Sequence, residues 1–343
     1  MSIKMFSQVL EECKKNGFKK NLLIGNGFSI AYNKERFSYD KLFEYSDMSE
    51  NVKDVFKEFN TYDFEIIIKK FMEAHRLFKK YKPGNKIAEE LLLEANNIKE
   101  KLVNSISEKH PNSQSEISEN RIFNTFIFLS NFDNIFSLNY DLLLYWVLMN
   151  KNDLKSKHAQ IQPIYEMNDG FHRNGHLTWG YKKELQNVFY LHGALHLIDE
   201  DIKIIKIENR ENSNLISIIQ SYLEADCFPL IVAEGSSNEK LIKIKHNEYL
   251  NYCYNRLSCI EGNLVIYGHS LADNDEHIFK QIADNINIKN IYVSVHDPEN
   301  NYETVSEKAL NIFRRRVDKT PLKLNFFDAG TTNIWSNNPL KDI

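Results

Sequence analysis

Residues 21–30 read Asn-Leu-Leu-Ile-Gly-Asn-Gly-Phe-Ser-Ile. The first four form a short apolar run typical of a buried strand, and a helix is predicted to begin near Ser29. The strand and the helix are joined by a Gly-x-Gly turn, Gly25-Asn26-Gly27-Phe28-Ser29. A helix that starts this way presents bare backbone N–H groups and the positive end of its dipole, and both favour an anion. The stretch therefore predicts a phosphate-binding turn.

Two better-known nucleotide-binding turns do not fit these residues. The dinucleotide fingerprint of dehydrogenases needs a third glycine three residues after the second, where Ile30 stands here. An acidic ribose anchor about twenty residues further on is not clearly present either. The Gly-Lys-Ser/Thr of a P-loop is missing. A plain tight turn between strand and helix remains an open alternative for this stretch.

Short apolar runs alternate with helical patterns beyond residue 120. We predict strands at 134–138, 188–191, 229–232, 264–267, 291–295 and 322–327, and a single helix over 238–259. Repeated strand–helix units indicate an α/β fold in which a Rossmann-like parallel sheet has helices on both faces.

Residues 47–120 interrupt this alternation with helical spacing. Phe64, Ile67, Ile68 and Phe71 share one face of a predicted helix, and Pro83-Gly84 separates it from the next. We therefore divide the chain into the start of a core domain (1–46), a helical insertion (47–120) and the remainder of the core (121–343). The apolar faces of the insertion either pack on the sheet or mediate self-association or partner docking.

Composition limits the classes of protein to consider. The 343 residues are 42% apolar and 12% aromatic, which suits a packed core and argues against disorder. The net charge of −4 gives no overall attraction to nucleic acid or to an anionic membrane. Since we find neither a signal peptide nor a membrane-span pattern, we expect a cytoplasmic protein. The four cysteines lack Cys-x-x-Cys spacing, so we expect no metal.

Three later motifs also follow predicted strands. They are Ser137-Leu138-Asn139-Tyr140-Asp141, Leu191-His192-Gly193 and Gly268-His269-Ser270-Leu271. Ligands of open parallel sheets bind at the carboxyl ends of the strands. We therefore expect these motifs to close around one ligand together with the turn at Gly25, with Gly268 and Ser270 lining a second side of the pocket.

The polar residues of these motifs have both functional and structural interpretations. Asn139 is a natural helix N-cap, and a histidine at a strand end can simply bond a buried carbonyl. In the functional interpretation Asn139 positions a water or a ribose hydroxyl, Asp141 accepts from the ribose, and His192 is a general base. His196 ranks lower, and Asp275 is interpreted only as a charge at a helix N-terminus.

Taken in order, the four motifs resemble those of sirtuins. The turn at Gly25 resembles the sirtuin Gly-Ala-Gly-x-Ser, and residues 137–141 resemble Gln-Asn-Ile-Asp. Residues 191–193 resemble Leu-His-Gly, and residues 268–271 are similar to the late Gly-Thr-Ser-Leu loop. The resemblance covers most of the chain outside the helical insertion. In particular, the chain resembles bacterial sirtuin-like proteins of antiphage defence, which hydrolyse NAD.

This resemblance implies an NAD glycohydrolase that releases nicotinamide and ADP-ribose, or a cyclic derivative, as the toxic effector of a defence system. Asn139 would orient the attacking water, and His192 would act at the ribose or as base. The turn Gly25, Asn26, Gly27, Phe28 and Ser29 would hold the diphosphate. NAD would be the substrate, no metal would be required, and a homo-oligomeric state or a partner defence protein would control activity.

Two departures from the sirtuin pattern argue against deacetylation. The zinc module of paired Cys-x-x-Cys is missing, and so is the Pro-Asp-Phe-Arg stretch after the first turn. Two other classes of function stay open. One is a sensor or scaffold that binds NAD or ADP-ribose without turnover, and the other is a protein ADP-ribosyltransferase or deacylase.

Overall fold

The protein is an α/β structure with two β-sheets. The computed structural model describes residues 3–150, 152, 154, 166–174, 176–200, 203–208, 214–225, 227–233, 236–314 and 322–338. The strands are β1 (Lys20–Ile24), β2 (Asn134–Ser137), β3 (Phe171–Asn174), β4 (His176–Trp179), β5 (Val188–Tyr190), β6 (Gly193–Asp199), β7 (Ile204–Lys206), β8 (Pro229–Ile231), β9 (Gly262–Tyr267), β10 (Ile288–Val295) and β11 (Lys323–Asp328).

Helices cover the sheets and fill the chain between β1 and β2. The described helices are α1 (Phe6–Asn16), α2 (Gly27–Tyr32), α3 (Lys34–Phe37), α4 (Tyr39–Tyr45), α5 (Glu50–Glu58), α6 (Phe64–Tyr81), α7 (Lys86–Lys109), α8 (Glu119–Leu129), α9 (Leu143–Met149), α10 (Leu215–Glu224), α11 (Ser237–His246), α12 (Glu248–Ser258), α13 (Glu276–Asp284) and α14 (Pro298–Phe313). Within the described ranges, no helix is both long and apolar enough to cross a membrane.

The larger sheet is parallel and has six strands in the order β11-β10-β9-β1-β2-β5. The chain passes from β1 through β2 to β5 on one side, and from β9 through β10 to β11 on the other. The strand order therefore reverses between β1 and β9, and such a reversal opens a crevice at the carboxyl edge. The predicted α/β fold with a parallel sheet is confirmed, and it is consistent with a Rossmann-like core.

The smaller sheet was not predicted. Its five strands are antiparallel and follow the order β3-β4-β7-β6-β8. Residues 229–232 contain the predicted strand, and a helix follows it, but the expectation that this strand joins the parallel sheet was wrong, because β8 pairs antiparallel with β6 in this second sheet. A short apolar run fits a buried strand of either kind, and the pattern alone does not tell the two sheets apart.

The single helix predicted over 238–259 is two helices. Asn247 separates α11 from α12, and its side chain accepts a hydrogen bond from the backbone N–H of Leu250. Asparagine in this role is an N-cap, which ends one helical pattern and starts another without a change in hydrophobic spacing.

A sharp turn carries the chain from the parallel sheet into the antiparallel one. β5 ends at Tyr190 and β6 begins at Gly193, so Leu191 and His192 form the whole connection. Gly193 has φ +73°, and a Cβ atom there would lie 1.8 Å from the carbonyl oxygen of Leu230. Only glycine fits both the conformation and the space. The turn fixes His192 at the junction of the two sheets.

Gly193→Ala therefore tests the junction, and Gly17→Ala is a matched control. Both glycines have similar positive φ, but a Cβ on Gly17 would meet nothing within 4 Å. Because overpacking adds to the shared backbone strain, we expect Gly193→Ala to lose about 1–3 kcal/mol more of the free energy of unfolding than Gly17→Ala. Urea unfolding followed by circular dichroism measures the difference, and equal losses would contradict this account of the junction.

The helices between β1 and β2 contact the residues that follow β2. His110, directly after α7, accepts a hydrogen bond at Nε2 from the backbone N–H of Leu142 at 3.1 Å. Its ring lies edge-on to Trp146 with centroids 4.4 Å apart. Burial lowers the pKa of His110 to about 3, which keeps the ring a neutral acceptor. Part of the segment 47–120 thus supports the loop that carries Asn139 and Asp141.

Candidate functional site at the carboxyl edge of the parallel sheet

The four predicted motifs follow four neighbouring strands. The turn at Gly25 follows β1, Asn139 follows β2, His192 follows β5 and Gly268 follows β9. These strands are adjacent in the sheet, in the order β9-β1-β2-β5, and run parallel. Their carboxyl ends therefore meet at one edge, as the sequence predicted.

The backbone N–H groups of the first turn are not bare. The N–H of Gly27 donates to the carbonyl of Gly268 at 2.7 Å, and that of Phe28 donates to Gly25 at 2.9 Å. The N–H of Ser29 donates to Asn26 at 3.0 Å. The expectation of unpaired donors at this helix start was thus wrong for these three groups, because the β9 loop and the turn's own carbonyls supply acceptors that the sequence does not reveal.

Close contact between two loops explains the glycines of the turn. A Cβ atom on Gly27 would lie 2.5 Å from Cα of Gly268, and one on Gly25 would lie 2.8 Å from Cδ2 of His269. Both positions therefore require glycine whether or not a phosphate binds there. Ser270, further along the β9 loop, is exposed.

The other two residues of the turn have structural partners. The Asn26 side chain donates to the carbonyl of Phe37 at 3.1 Å. Phe28 is fully buried, with its ring 5.2 Å from that of Trp335, and the Trp335 indole N–H donates to the Phe28 carbonyl. Phe28 is therefore a core residue that anchors the turn.

Ser29, Asn139 and Asp141 form one buried hydrogen-bonded group. The Ser29 hydroxyl donates to Oδ2 of Asp141 at 2.5 Å and accepts from Nδ2 of Asn139 at 2.8 Å. Asp141 also accepts from the backbone N–H of Leu143 at Oδ1, so both of its oxygens are engaged. The arrangement brings together residues that are 110 and 112 positions apart. It fixes the orientation of the Asn139 amide.

Asn139 keeps one open acceptor. Its Oδ1 is buried and has no hydrogen-bond partner among the described residues. A buried polar atom without a partner costs about 1–3 kcal/mol, and such an atom in a native protein requires an explanation such as a catalytic role or a bound water. Burial also raises the pKa of Asp141, against the lowering effect of the Ser29 hydrogen bond. The group is therefore a rigid support that presents a single amide oxygen.

His192 lies in a second buried group beside the first. Its ring is inclined by 27° to that of Tyr140, with centroids 6.4 Å apart. Its Nε2 lies 3.4 Å from Nε2 of His277 and 3.7 Å from Oδ1 of Asp275. Burial lowers the pKa of His192 well below its usual value, although the Asp275 carboxylate opposes this. The imidazole is therefore neutral.

Asp275 is the centre of this second group, and its interpretation as no more than a helix-terminal charge was wrong. Oδ2 accepts from Nε2 of His269 at 2.9 Å, and Oδ1 accepts from the Lys240 ammonium at 2.9 Å. Nδ1 of His269 accepts from the backbone N–H of Leu271, which places the ring proton on Nε2. Burial alone would raise the pKa of Asp275, but Lys240 and the histidines lower it well below its usual value.

Glu65 and Lys240 were missed by sequence reasoning. The Lys240 side chain is fully buried on α11, and its ammonium lies 2.5 Å from Oε2 of Glu65 on α6. The signal was present: Glu65 lies on the same helical face as the buried apolar residues Ile68 and Phe64, and Lys240 precedes the buried Ile244 by one turn. A charged residue on a core-facing stripe is rarely buried unless it is paired.

Replacing Lys240 by methionine tests the second group. The change leaves the Asp275 and Glu65 carboxyls buried without their cation, and breaking a buried pair in this way costs about 3–5 kcal/mol. Lys245→Met on the same helix is the control, because Lys245 is exposed, and it should change stability by less than about 0.5 kcal/mol. Chemical unfolding at neutral pH measures both. Near-equal stabilities would show that the buried lysine does not stabilise the fold.

His192, Asp275 and His277 also have the spacing of a metal site. One ligand atom from each lies within 4.8 Å of the other two. However, the oxygen of Asp275 nearest to His192 already accepts from the Lys240 ammonium. A divalent cation there would face a fixed positive charge at close range. The donor set therefore fits proton sharing better than metal binding.

We accordingly expect purified protein to contain far less than one metal ion per chain. Elemental analysis after dialysis against buffer with zinc measures this directly, and Lys240→Met is the informative comparison because it removes the competing charge. Stoichiometric zinc in the wild type that is lost on His277→Ala would overturn the expectation.

Comparison with protein families gives a match over most of the chain. A family model described as a domain of unknown function, DUF4917, matches residues 22–335. The chain belongs to the DUF4917 family. The match includes all four motifs and every residue of the two buried groups, so the site is part of the DUF4917 domain itself. A search of the curated proteins gives no match.

Proposed function

We propose that this DUF4917 protein is an NAD glycohydrolase, which cleaves the nicotinamide–ribose bond of NAD with water. The observation that carries the proposal is the Asn139 amide, whose Nδ2 is fixed by Ser29 while Oδ1 remains an open acceptor. Its position after β2 matches the asparagine of the resembling sirtuin segment. The convergence of the other three motifs at the same edge supports the assignment.

The reaction requires one bond to break, one to form and one proton to leave. The C1′–N bond breaks through an oxocarbenium-like state, and nicotinamide departs as a neutral base. Water adds to C1′ and yields ADP-ribose. Oδ1 of Asn139 accepts from the attacking water or from a ribose hydroxyl and so orients it. Neutral His192 accepts the released proton, and the nearby Asp275 carboxylate stabilises the resulting imidazolium.

The diphosphate is assigned to the two glycine loops. Asn26, Gly27 and Gly268 are half-buried and Ser270 is exposed, so this part of the edge is accessible. Binding there would transfer the Gly27 N–H from the Gly268 carbonyl to a phosphate oxygen. Because Ser29, Asn139 and His192 are buried, substrate must also separate the contacts that cover them.

The need to open the buried site before substrate can bind supports control of the activity by assembly. An enzyme that depletes NAD as a defence effector must be restrained, and a site that is closed in the single chain provides restraint. The helices α6 and α7 expose large apolar side chains, among them Leu77, Tyr81 and Leu93. We propose that a homo-oligomer or a partner defence protein uses this surface, and that the helical segment acts as an inserted module of a sirtuin-like core.

The test is nicotinamide release from NAD by purified protein, followed over time with light scattering to record its oligomeric state. Asn139→Ala and His192→Ala should each lower turnover by about 10²–10⁴-fold, because each removes a group positioned at the reacting centre. Asn255→Ala and His246→Ala are matched controls, since both side chains are exposed, and they should retain wild-type turnover.

The assay also separates the alternatives. Saturable NAD or ADP-ribose binding without nicotinamide release, at every protein concentration, would replace the enzyme by a sensor. Release that persists in both Asn139→Ala and His192→Ala would refute the assigned site.

A further inference from the structure

The hydroxyl of Tyr140 contacts two oxygen atoms, and each contact needs a hydrogen between the two oxygens. It lies 2.5 Å from Oε1 of Glu65 and 2.9 Å from the carbonyl oxygen of Val232. A phenol carries one proton, and a carbonyl oxygen only accepts. If Glu65 were ionised, it too could only accept, and one of the two short contacts would bring unprotonated oxygens together. Both contacts are satisfied when Glu65 donates to Tyr140 and Tyr140 donates to Val232.

The remaining contacts of Glu65 place the proton on one oxygen. Oε2 accepts from the Lys240 ammonium at 2.5 Å and from Nδ2 of Asn274 at 2.6 Å. Two donors on Oε2 leave Oε1 as the oxygen that carries the hydrogen. The hydrogen-bonding pattern is then complete at both ends of the carboxyl group.

The charges around Glu65 favour the same state. The titratable groups that face it are Tyr39, Asp63, Tyr140, Lys240 and Asp275. Lys240 is the only cation among these five, and it is already paired with Asp275. A second buried negative charge would be uncompensated, whereas a neutral Glu65 leaves one ion pair. Burial, opposed by Lys240, raises the pKa of Glu65 to about 7, and the pKa of Asp275 is lowered.

We propose that Glu65 holds a proton on Oε1 up to about neutral pH and donates a hydrogen bond through it to Tyr140, and that it is thereby a positioning residue of the site. Tyr140 lies between Asn139 and Asp141 in the chain and its ring faces His192. Through Tyr140 and Lys240, one carboxyl on α6 fixes both buried groups. The protonation of Glu65 does not depend on the NAD glycohydrolase assignment, whereas its positioning role rests on that proposed function.

Infrared difference spectroscopy of the full chain tests the protonation. Subtracting the spectrum of Glu65→Gln from that of the wild type should show the carbonyl stretch of a protonated carboxylic acid at about pH 6, with loss at about pH 8. Glu73→Gln is the matched control, because Glu73 is exposed on the same helix, and its difference spectrum should show only a carboxylate. A carboxylate assigned to Glu65 throughout this range would overturn the proposal.

Tyr140→Phe provides a second infrared test of this hydrogen bond, in which Glu65 itself is unchanged. Removing the phenol oxygen removes the acceptor of the proposed hydrogen bond, so the carbonyl band should persist and move to higher frequency. An unmoved band would show that Glu65 does not donate to Tyr140.

The positioning role is tested separately by the pH profile of nicotinamide release. A neutral amide mimics the protonated carboxyl, so Glu65→Gln should retain turnover near pH 6 and lose the decline that the wild type shows above about pH 7. A profile identical to that of the wild type would refute the role. If the wild type releases no nicotinamide, the proposed function fails, while the infrared result still decides the protonation.

Discussion

The Lys240 ammonium is the interaction on which the site depends. It lies between the Glu65 and Asp275 carboxyls, on a side chain with no exposed surface. Taking such a charge out of water costs several kcal/mol, and only close partners offset that cost. The lysine therefore holds together three segments that are distant in the chain: α6, α11 and the 3₁₀ turn Asp273–Asp275. Residues near Asp275, including His192 and His269, take their positions from this arrangement.

The reversal of strand order explains why chemistry concentrates at one edge. β1 lies between β2 and β9, so the loops after these strands face each other across the reversal. Gly27 and Gly268 approach so closely there that a side chain on either would collide with the other loop. This contact joins the two loops, and the Ser29 hydroxyl bonds Asn139 and Asp141 in the loop after β2. Tyr140 links the two buried groups, because it lies between Asn139 and Asp141 in the chain and its hydroxyl contacts Glu65.

Two carboxyls in the second group experience opposite environments. Asp275 accepts hydrogen bonds from Lys240 and His269, and these groups lower its pKa. Burial raises the pKa of Glu65, because the one Lys240 charge does not offset two buried carboxylates. Pairs of titratable groups whose pKa values are pushed apart are common at sites that move protons. Next to this pair, burial also lowers the pKa values of His192 and His277, which keeps both imidazoles neutral.

The sequence by itself determined the strands of the parallel sheet and the positions of the motifs after them. Apolar runs and glycine or asparagine turns are local signals, so the α/β class and the placement of Asn139, His192 and Gly268 at strand ends followed from them. The sequence did not predict the antiparallel sheet, because a short apolar strand such as β8 fits either sheet until its partner is known. The tertiary structure alone decided which donors are used, such as the Gly27 N–H, and which remain open, such as Oδ1 of Asn139. It alone brought Glu65 to Lys240 across 175 positions. The partner that a buried charge finds is a property of the folded neighbourhood, and no spacing along the chain encodes it.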